Sequence, residues 1–119
     1  LTELNLRGSG NSYISDISAT GAKAIAKMLA VNRALKSANL ASNSIGDEGA
    51  IAISAALESN TSLTELDLSS WDGTQIGTAG AQAIAKMLVV NRALTSLNLY
   101  GNEIGAGGAK AIADSLPQS

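Results

Sequence analysis

The chain contains no cysteine, no histidine and no phenylalanine. Without cysteine it can form neither disulfide bonds nor thiolate metal sites. Without histidine it lacks the side chain that most often acts as a general base near neutral pH and most often ligates zinc. We therefore expect a non-enzymatic protein that has no catalytic residues, binds no metal and needs no cofactor.

Charge is also scarce and balanced. Eight basic residues face ten acidic ones, for a net charge of −2, and neither sign forms a run. Nucleic-acid binding requires a concentrated basic surface, and an anionic membrane surface would attract one, so neither partner is expected. The apolar stretch 24–31 is interrupted by Lys27 and is much shorter than the roughly 20 residues that cross a bilayer.

One pattern occurs four times. It is a hexapeptide with leucine at its first, fourth and sixth positions, and the copies begin at Leu1, Leu35, Leu63 and Leu94. Apolar residues that alternate in this way are typical of a short strand with one buried face. The second copy has Ala38 in place of a leucine, so we expect a softer spot beneath that strand.

A turn and then an amphipathic helix follow each predicted strand. In two copies the turn contains an asparagine, Asn43 or Asn102, whose amide we expect to bond to backbone groups of adjacent coils. The helices are predicted to begin near Gly21, Gly49, Gly80 and Gly108. Their buried stripes have i, i+3, i+7 spacing: Ala22, Ile25, Leu29; Ala50, Ile53, Leu57; Ala81, Ile84, Leu88; and Ala109, Ile112, Leu116. We expect Asn32, Asn60 and Asn91 to end the first three helices in a left-handed conformation.

Repetition at this period predicts a solenoid, in which each unit buries its apolar face against its neighbours. The predicted fold is α/β, a right-handed horseshoe segment with a parallel sheet on the concave face and helices on the convex face. We expect a single domain of four repeats with the boundaries 1–34, 35–62, 63–93 and 94–119. We also expect it to be an excerpt from a longer array.

The motif Leu35-x-x-Ala38-x-Leu40-x-x-Asn43-x-Ile45-Gly46-x-x-Gly49 resembles the ribonuclease-inhibitor type of leucine-rich repeat. That type also occurs in NOD-like receptors and in the Ran GTPase-activating protein. The resemblance implies a protein-binding scaffold. Extracellular members of the wider family commonly have cysteine-stapled caps, so the absence of cysteine favours an intracellular, cytoplasmic protein.

Three aromatic residues stand outside the leucine pattern. Tyr13 and Trp71 lie in insertions between strand and helix in repeats one and three, and Tyr100 follows the last strand motif. Tyrosine and tryptophan are enriched at binding hot spots, so these residues could form an aromatic rim for a partner. The alternative is that Tyr13 and Trp71 cover their own loops.

Polar residues between the strand leucines should face the concave surface, the usual binding surface of solenoids. We expect Glu3, Lys36 and Glu65 to form a line of cross-strand charge pairs. The predicted partner-binding residues are Tyr13, Trp71, Tyr100, Arg7, Glu3, Lys36, Asn39, Glu65, Asp67 and Asn98. A second candidate surface lies on the helices, where Ile51 points outward and Met28 and Met87 should lie on the same flank.

Three functions follow from these observations. The leading hypothesis is a protein–protein interaction module that binds its partner through the concave strands and the aromatic loops. The second is a structural or self-assembling subunit that associates through its uncapped ends. The third, implied only by the resemblance to the Ran activator, is a GTPase-activator-like regulator that would depend on Arg7.

Overall fold

The computed structural model describes residues 2–8, 17–70 and 75–115, and strands and helices alternate strictly within them. The elements in chain order are β1 (Glu3–Asn5), α1 (Ala19–Val31), β2 (Ser37–Asn39), α2 (Gly46–Leu57), β3 (Glu65–Asp67), α3 (Thr78–Val90), β4 (Ser96–Asn98) and α4 (Gly105–Ser115). The predicted α/β architecture of four repeats is thereby confirmed. None of the helices in these ranges is long and apolar enough to cross a membrane.

The strands form one parallel sheet in the order β1-β2-β3-β4. Each strand pairs only with its neighbours in the chain, and the register aligns Leu4, Ala38, Leu66 and Leu97. The helices pack in the same order, α1 on α2, α2 on α3 and α3 on α4. Every unit is therefore covered by its neighbours in sequence, as a solenoid requires.

A thin aliphatic core separates the sheet from the helices. Its most deeply buried side chains are Leu29, Leu35, Leu40, Ile53, Leu57, Leu63, Ile76, Ile84 and Met87. Ala38 lies in the same core with 2% of its surface exposed. The softer spot expected beneath the second strand stays a prediction.

Three side chains differ from the predicted helix faces. Met28, expected on the outer flank, is partly buried and packs against the core. Met87 was expected on the outer flank but is only 1% exposed, because it lies at i+3 from Ile84 and extends the buried stripe. Ala109 was expected in the core but is exposed, and Gly108 is the buried residue that faces α3. A Cβ on Gly108 would lie 2.8 Å from Cβ of Ala81, which explains why this contact requires a glycine.

Ile51 points outward as predicted, with 46% of its surface exposed.

The helices begin two or three residues before the predicted glycines. The reason is that each repeat glycine lies in the first helical turn, against the isoleucine of the preceding turn. A Cβ on Gly49 would lie 2.2 Å from Cγ2 of Ile45, and one on Gly80 would lie 2.6 Å from Cγ2 of Ile76. These glycines therefore mark a close approach between helix and turn, not the start of the helix.

The asparagines after the helices connect neighbouring repeats. Asn32 and Asn91 are extended, with φ of −76° and −78°, so the expected left-handed conformation is wrong for both. Nδ2 of Asn91 instead donates to the carbonyls of Leu57 at 2.7 Å and Asn60 at 3.1 Å in the preceding repeat. Asn60 makes the equivalent bonds to Leu29 and Asn32.

A second set of inter-repeat bonds runs through the turns. Nδ2 of Asn43 donates to the carbonyl of Leu6 at 2.9 Å, and Nδ2 of Asn102 donates to that of Leu68 at 2.8 Å. The Oδ1 atom of each asparagine accepts a backbone N–H from the preceding repeat, that of Ile17 or Ile76. The prediction that the turn asparagines join adjacent coils is thereby confirmed.

Candidate functional site: the concave strand face

The concave strand face consists of two rows of side chains that alternate with the inward-facing leucines. The strand register defines both rows because residues of adjacent strands align one to one. The first row is Glu3, Ser37, Glu65 and Ser96. The second row is Asn5, Asn39, Asp67 and Asn98. Adjacent members of a row lie about 4.8 Å apart, the spacing of paired strands.

The expected line of charge from Glu3 through Lys36 to Glu65 is wrong. The register aligns Ser37, not Lys36, with both glutamates. The backbone of Lys36 instead pairs with Thr2 and Thr64, since its N–H donates to the carbonyl of Thr2 and its carbonyl accepts from the N–H of Thr64, both at 2.8 Å. Within the described ranges no ion pair joins Lys36 to either glutamate.

Side chains of the second row are fixed by hydrogen bonds to their own chain. Oδ1 of Asn39 accepts the N–H of Ala41 at 3.0 Å, and Oδ1 of Asn98 accepts that of Tyr100 at 2.9 Å. Oδ1 of Asp67 accepts both the N–H of Ser69 at 2.9 Å and its hydroxyl at 2.7 Å. An Asn or Asp that accepts a hydrogen bond from the backbone two residues ahead is common in turns. Asn or Asp occurs at this position in all four copies, and this recurrence is the sequence signal from which the bonds could be predicted.

A shallow groove of about 250 Å³ crosses the centre of this face. Its lining residues come from three strands and are Ser37, Ala38, Asn39, Glu65, Leu66, Asp67, Ser96 and Asn98. Four predicted partner-binding residues are thus brought together: Asn39, Glu65, Asp67 and Asn98. The serines of the first row also line the groove, although the predicted site did not include them.

The other predicted residues lie away from the groove lining. Glu3, Arg7 and Lys36 are exposed, and Arg7 lies just beyond β1, where its N–H donates to Oδ1 of Asn5. Tyr100 is 64% exposed, and its role in binding a partner stays a prediction. Tyr13 and Trp71 lie outside the described residues, so the aromatic rim they would form stays a prediction.

The chemistry of the face suits recognition by polar contacts. Glu65 and Asp67 project from the same side of β3, flanked by serine hydroxyls and asparagine amides. In the described ranges no group of three or more ligating side chains could hold a metal ion. The ion pair between Lys110 and Asp114 lies on α4, away from the groove, and the hydrogen bond and charge of Asp114 raise the pKa of Lys110.

Comparison with known protein families identifies the family to which the repeats belong. The model of the family described as Leucine Rich repeat matches residues 31–54, 59–85 and 90–113, which together make up more than half of the chain. The chain therefore belongs to the leucine-rich repeat family. The resemblance to the ribonuclease-inhibitor subtype stays a prediction. A search of curated proteins finds no match.

Solved structures share this fold, and two of them illustrate the likeness. The first is "Leiomodin-1 Actin-Binding Site 2 (ABS2)", with a TM-score of 0.80 and 28% identity over 96% of this chain. This chain spans 62% of the length of that leiomodin-1 chain. The second is the tropomodulin C-terminal domain of Caenorhabditis elegans, with a TM-score of 0.55 and 12% identity over 98% of this chain and 82% of that one. At that identity, the tropomodulin likeness concerns the fold alone.

Proposed function

We propose that this chain is a non-enzymatic protein–protein interaction module that binds its partner through the concave strand face. The observation that carries the proposal is the groove across β2, β3 and β4, where Asn39, Asp67 and Asn98 are already fixed by hydrogen bonds. Side chains fixed before binding lose little conformational freedom when a partner docks, so their polar contacts contribute more to affinity.

Actin is the partner to test first. The similar leiomodin-1 structure is an actin-binding site of that protein, and the two chains share 28% identity. Because this chain spans 62% of that one, any activity of the whole leiomodin-1 protein is a separate matter. The proposal for this chain is binding of actin by the repeat surface itself.

The test blocks the groove from within. In Ser37→Arg, the arginine would lie between Glu3 and Glu65. The two carboxylates favour its positive charge, so the variant should fold, and the long side chain would fill the groove. The control is Ala55→Arg, which adds the same side chain to the exposed side of α2. We expect Ser37→Arg to weaken actin binding by roughly tenfold or more in titration calorimetry, and Ala55→Arg to leave it within about twofold.

Each outcome decides a separate point. If the wild-type chain does not bind actin, the actin assignment is wrong, and quantitative affinity capture with wild-type and Ser37→Arg chains then tests the concave face itself. If the immobilised wild-type and Ser37→Arg chains capture the same proteins in the same amounts, the groove is not the binding site. Equal actin affinity of wild type and Ser37→Arg would contradict it directly.

The aromatic rim is the finer part of this proposal. Tyr100 is exposed just beyond β4, at the end of the second row of the concave strand face. Replacing Tyr100 and Trp71 together by alanine should reduce partner affinity by more than either single change. A sharp loss of stability in Trp71→Ala alone would instead show that Trp71 covers its own loop.

Self-association is a second candidate function, supported by an apolar cavity. The cavity measures about 280 Å³ and lies beside β4, lined by Leu88, Leu94, Thr95, Ser96, Leu97, Leu99 and Ile112. The corresponding leucines of the inner repeats, such as Leu63 and Leu68, are almost fully buried by the repeat that follows. The cavity is thus shaped to receive another leucine-rich coil, and we propose a second copy of this chain as its occupant.

Light scattering over a concentration series tests self-association. The wild-type mass should rise with concentration, and Thr95→Arg, at the edge of the cavity, should restore the monomer mass. Thr61→Arg, an exposed threonine at the start of the preceding loop, is the matched control. A monomer mass for the wild type at all concentrations would rule this function out.

A further inference from the structure

We infer that the groove of the concave strand face selects a basic, extended segment of the partner, with Glu65 and Asp67 as the selecting charges. The inference rests on the proposed function, since it names the partner chemistry of the same site. It begins from the lining of the groove, in which the two ionisable side chains are both acids. The remaining six lining residues are neutral.

No basic residue lies beside Glu65 or Asp67 in the aligned strands, and within the described ranges neither carboxylate forms an ion pair. Lys36 would neutralise Glu65 if it shared its row, but the row position is taken by Ser37. The nearest members of the two rows around Glu65 and Asp67 are two serines and two asparagines. A groove whose ionisable side chains are all acids attracts basic segments and repels acidic ones.

The geometry suits an arginine better than a compact cation. Along β3, Glu65 and Asp67 are separated by about 6.6 Å, twice the rise per residue of a parallel strand, and both lie on the same face. Asp67 has Oδ1 fixed by Ser69, while a carboxylate offers about four acceptor positions in all. A guanidinium has five donors in a planar fork, so it can bond a carboxylate and a neighbouring amide or hydroxyl oxygen together.

The neighbouring repeats supply a conservative way to remove the charge. Serine occupies the position of Glu65 in β2 and β4, and asparagine occupies the position of Asp67 in both. In the double variant Glu65→Ser/Asp67→Asn, repeat three therefore has the same polar residues as its neighbours, and the bond to the N–H of Ser69 has direct counterparts at Asn39 and Asn98. The variant should fold like the wild type.

The control removes the same charge elsewhere. Glu48 and Glu58 are exposed residues at the two ends of α2, outside the groove lining. The variant Glu48→Gln/Glu58→Gln has the same net charge as the groove variant. Comparing the two separates an effect of the groove from an effect of overall charge.

The probes are short blocked peptides in which serine alternates with arginine, glutamine or glutamate. Affinity is measured by fluorescence anisotropy. NMR chemical-shift changes of the backbone amides on addition of peptide locate the binding site, and we expect them at Ser37, Asn39, Ser96 and Asn98. We expect the arginine peptide to bind the wild type more tightly than the other two and to lose roughly tenfold affinity for Glu65→Ser/Asp67→Asn. The control variant should retain the wild-type affinity.

Equal affinity for the arginine and glutamate peptides, or for the wild type and the groove variant, would overturn the inference. The failure of the inference is distinguishable from that of the proposed function. If Ser37→Arg abolishes binding of the protein partner and Glu65→Ser/Asp67→Asn does not, the concave strand face is the binding surface but selects a different chemistry. If neither variant affects partner binding, the concave strand face is not the binding surface.

Discussion

Asp47 caps a helix of the following repeat through Gly80. Its Oδ1 accepts the N–H of Gly80 at 2.9 Å and that of Gly77 at 2.7 Å. Gly77 precedes α3 and has no side chain with which to cap the helix itself. The first N–H groups of a helix lack partners within it, so a carboxylate from the adjacent turn satisfies them and also favours the positive end of the helix dipole. The cap thereby links the stability of α3 to the position of α2.

We predict that Asp47→Ala lowers the free energy of unfolding by about 1 to 2 kcal/mol, the range for losing an N-cap side chain. Asp47→Asn should lower it less, because the amide keeps an acceptor oxygen. The measurement is urea unfolding, combined with hydrogen exchange at Gly77 and Gly80, whose amides should exchange faster. Glu48→Ala, one residue further along α2, is the matched control, and an equal loss from it would contradict the inter-repeat cap.

The asparagines that follow the helices lead to a second prediction. Asn91 is buried, and its side chain bonds two carbonyls of the preceding repeat and the N–H groups of Ala93 and Leu94. Because Asn91→Ala leaves buried polar groups without partners, it should lower the free energy of unfolding by about 3 kcal/mol. Urea unfolding measures the change.

Asn32 provides the internal comparison for Asn91. Its Oδ1 accepts the N–H groups of Ala34 and Leu35 in the same way, but the site is partly exposed. Water can therefore replace part of what the side chain supplies, and Asn32→Ala should reduce stability by less than half as much. Equal losses from the two variants would mean that the bonds to the preceding repeat contribute little.

The regular parts of the fold could be predicted because they depend on patterns within one repeat. Alternating leucines specify a strand, and a constant period places each strand beside the next, so the sheet order follows from the sequence. The turn asparagines also recur at fixed positions, which made the role of Asn43 and Asn102 predictable. The strands, the sheet order and the turn asparagines all follow from the stacking of similar repeats.

The missed features depend on contacts between two particular repeats. Two residues separate the first and second leucines of each strand motif, and the pattern does not say which of them shares a row across strands. The prediction that Lys36 lies in line with the two glutamates is therefore wrong by one position, which Ser37 occupies. The cap by Asp47 could not be predicted because the corresponding positions of the other repeats, such as Ala19 and Ala106, are not acidic.

A third prediction concerns Gly101, in the turn after β4. It has a φ of +80°, and a Cβ there would lie 1.9 Å from the carbonyl oxygen of Ser70. Gly101→Ala must therefore adopt an unfavourable conformation and also displace the backbone of the neighbouring repeat. We expect a loss of about 2 to 4 kcal/mol in the free energy of unfolding, measured in urea. A loss below about 0.5 kcal/mol would show that the two turns can separate without consequence.

A fourth prediction has the opposite sign and concerns Gly107, in the first turns of α4. Its φ is not in the left-handed region, and a Cβ would meet Cγ2 of Thr78 at 3.6 Å, an ordinary van der Waals distance. Alanine at this exposed helical position reduces the freedom of the unfolded chain and adds no clash, so Gly107→Ala should raise the free energy of unfolding by about 0.5 to 1 kcal/mol. Urea unfolding measures the change. A lower free energy of unfolding for Gly107→Ala would show that α4 packs too closely against Thr78 to accept the added methyl group. Because the glycines at 101 and 107 lie in one repeat, opposite signs for the two variants would show that local backbone geometry, and not position along the solenoid, determines which glycines are required.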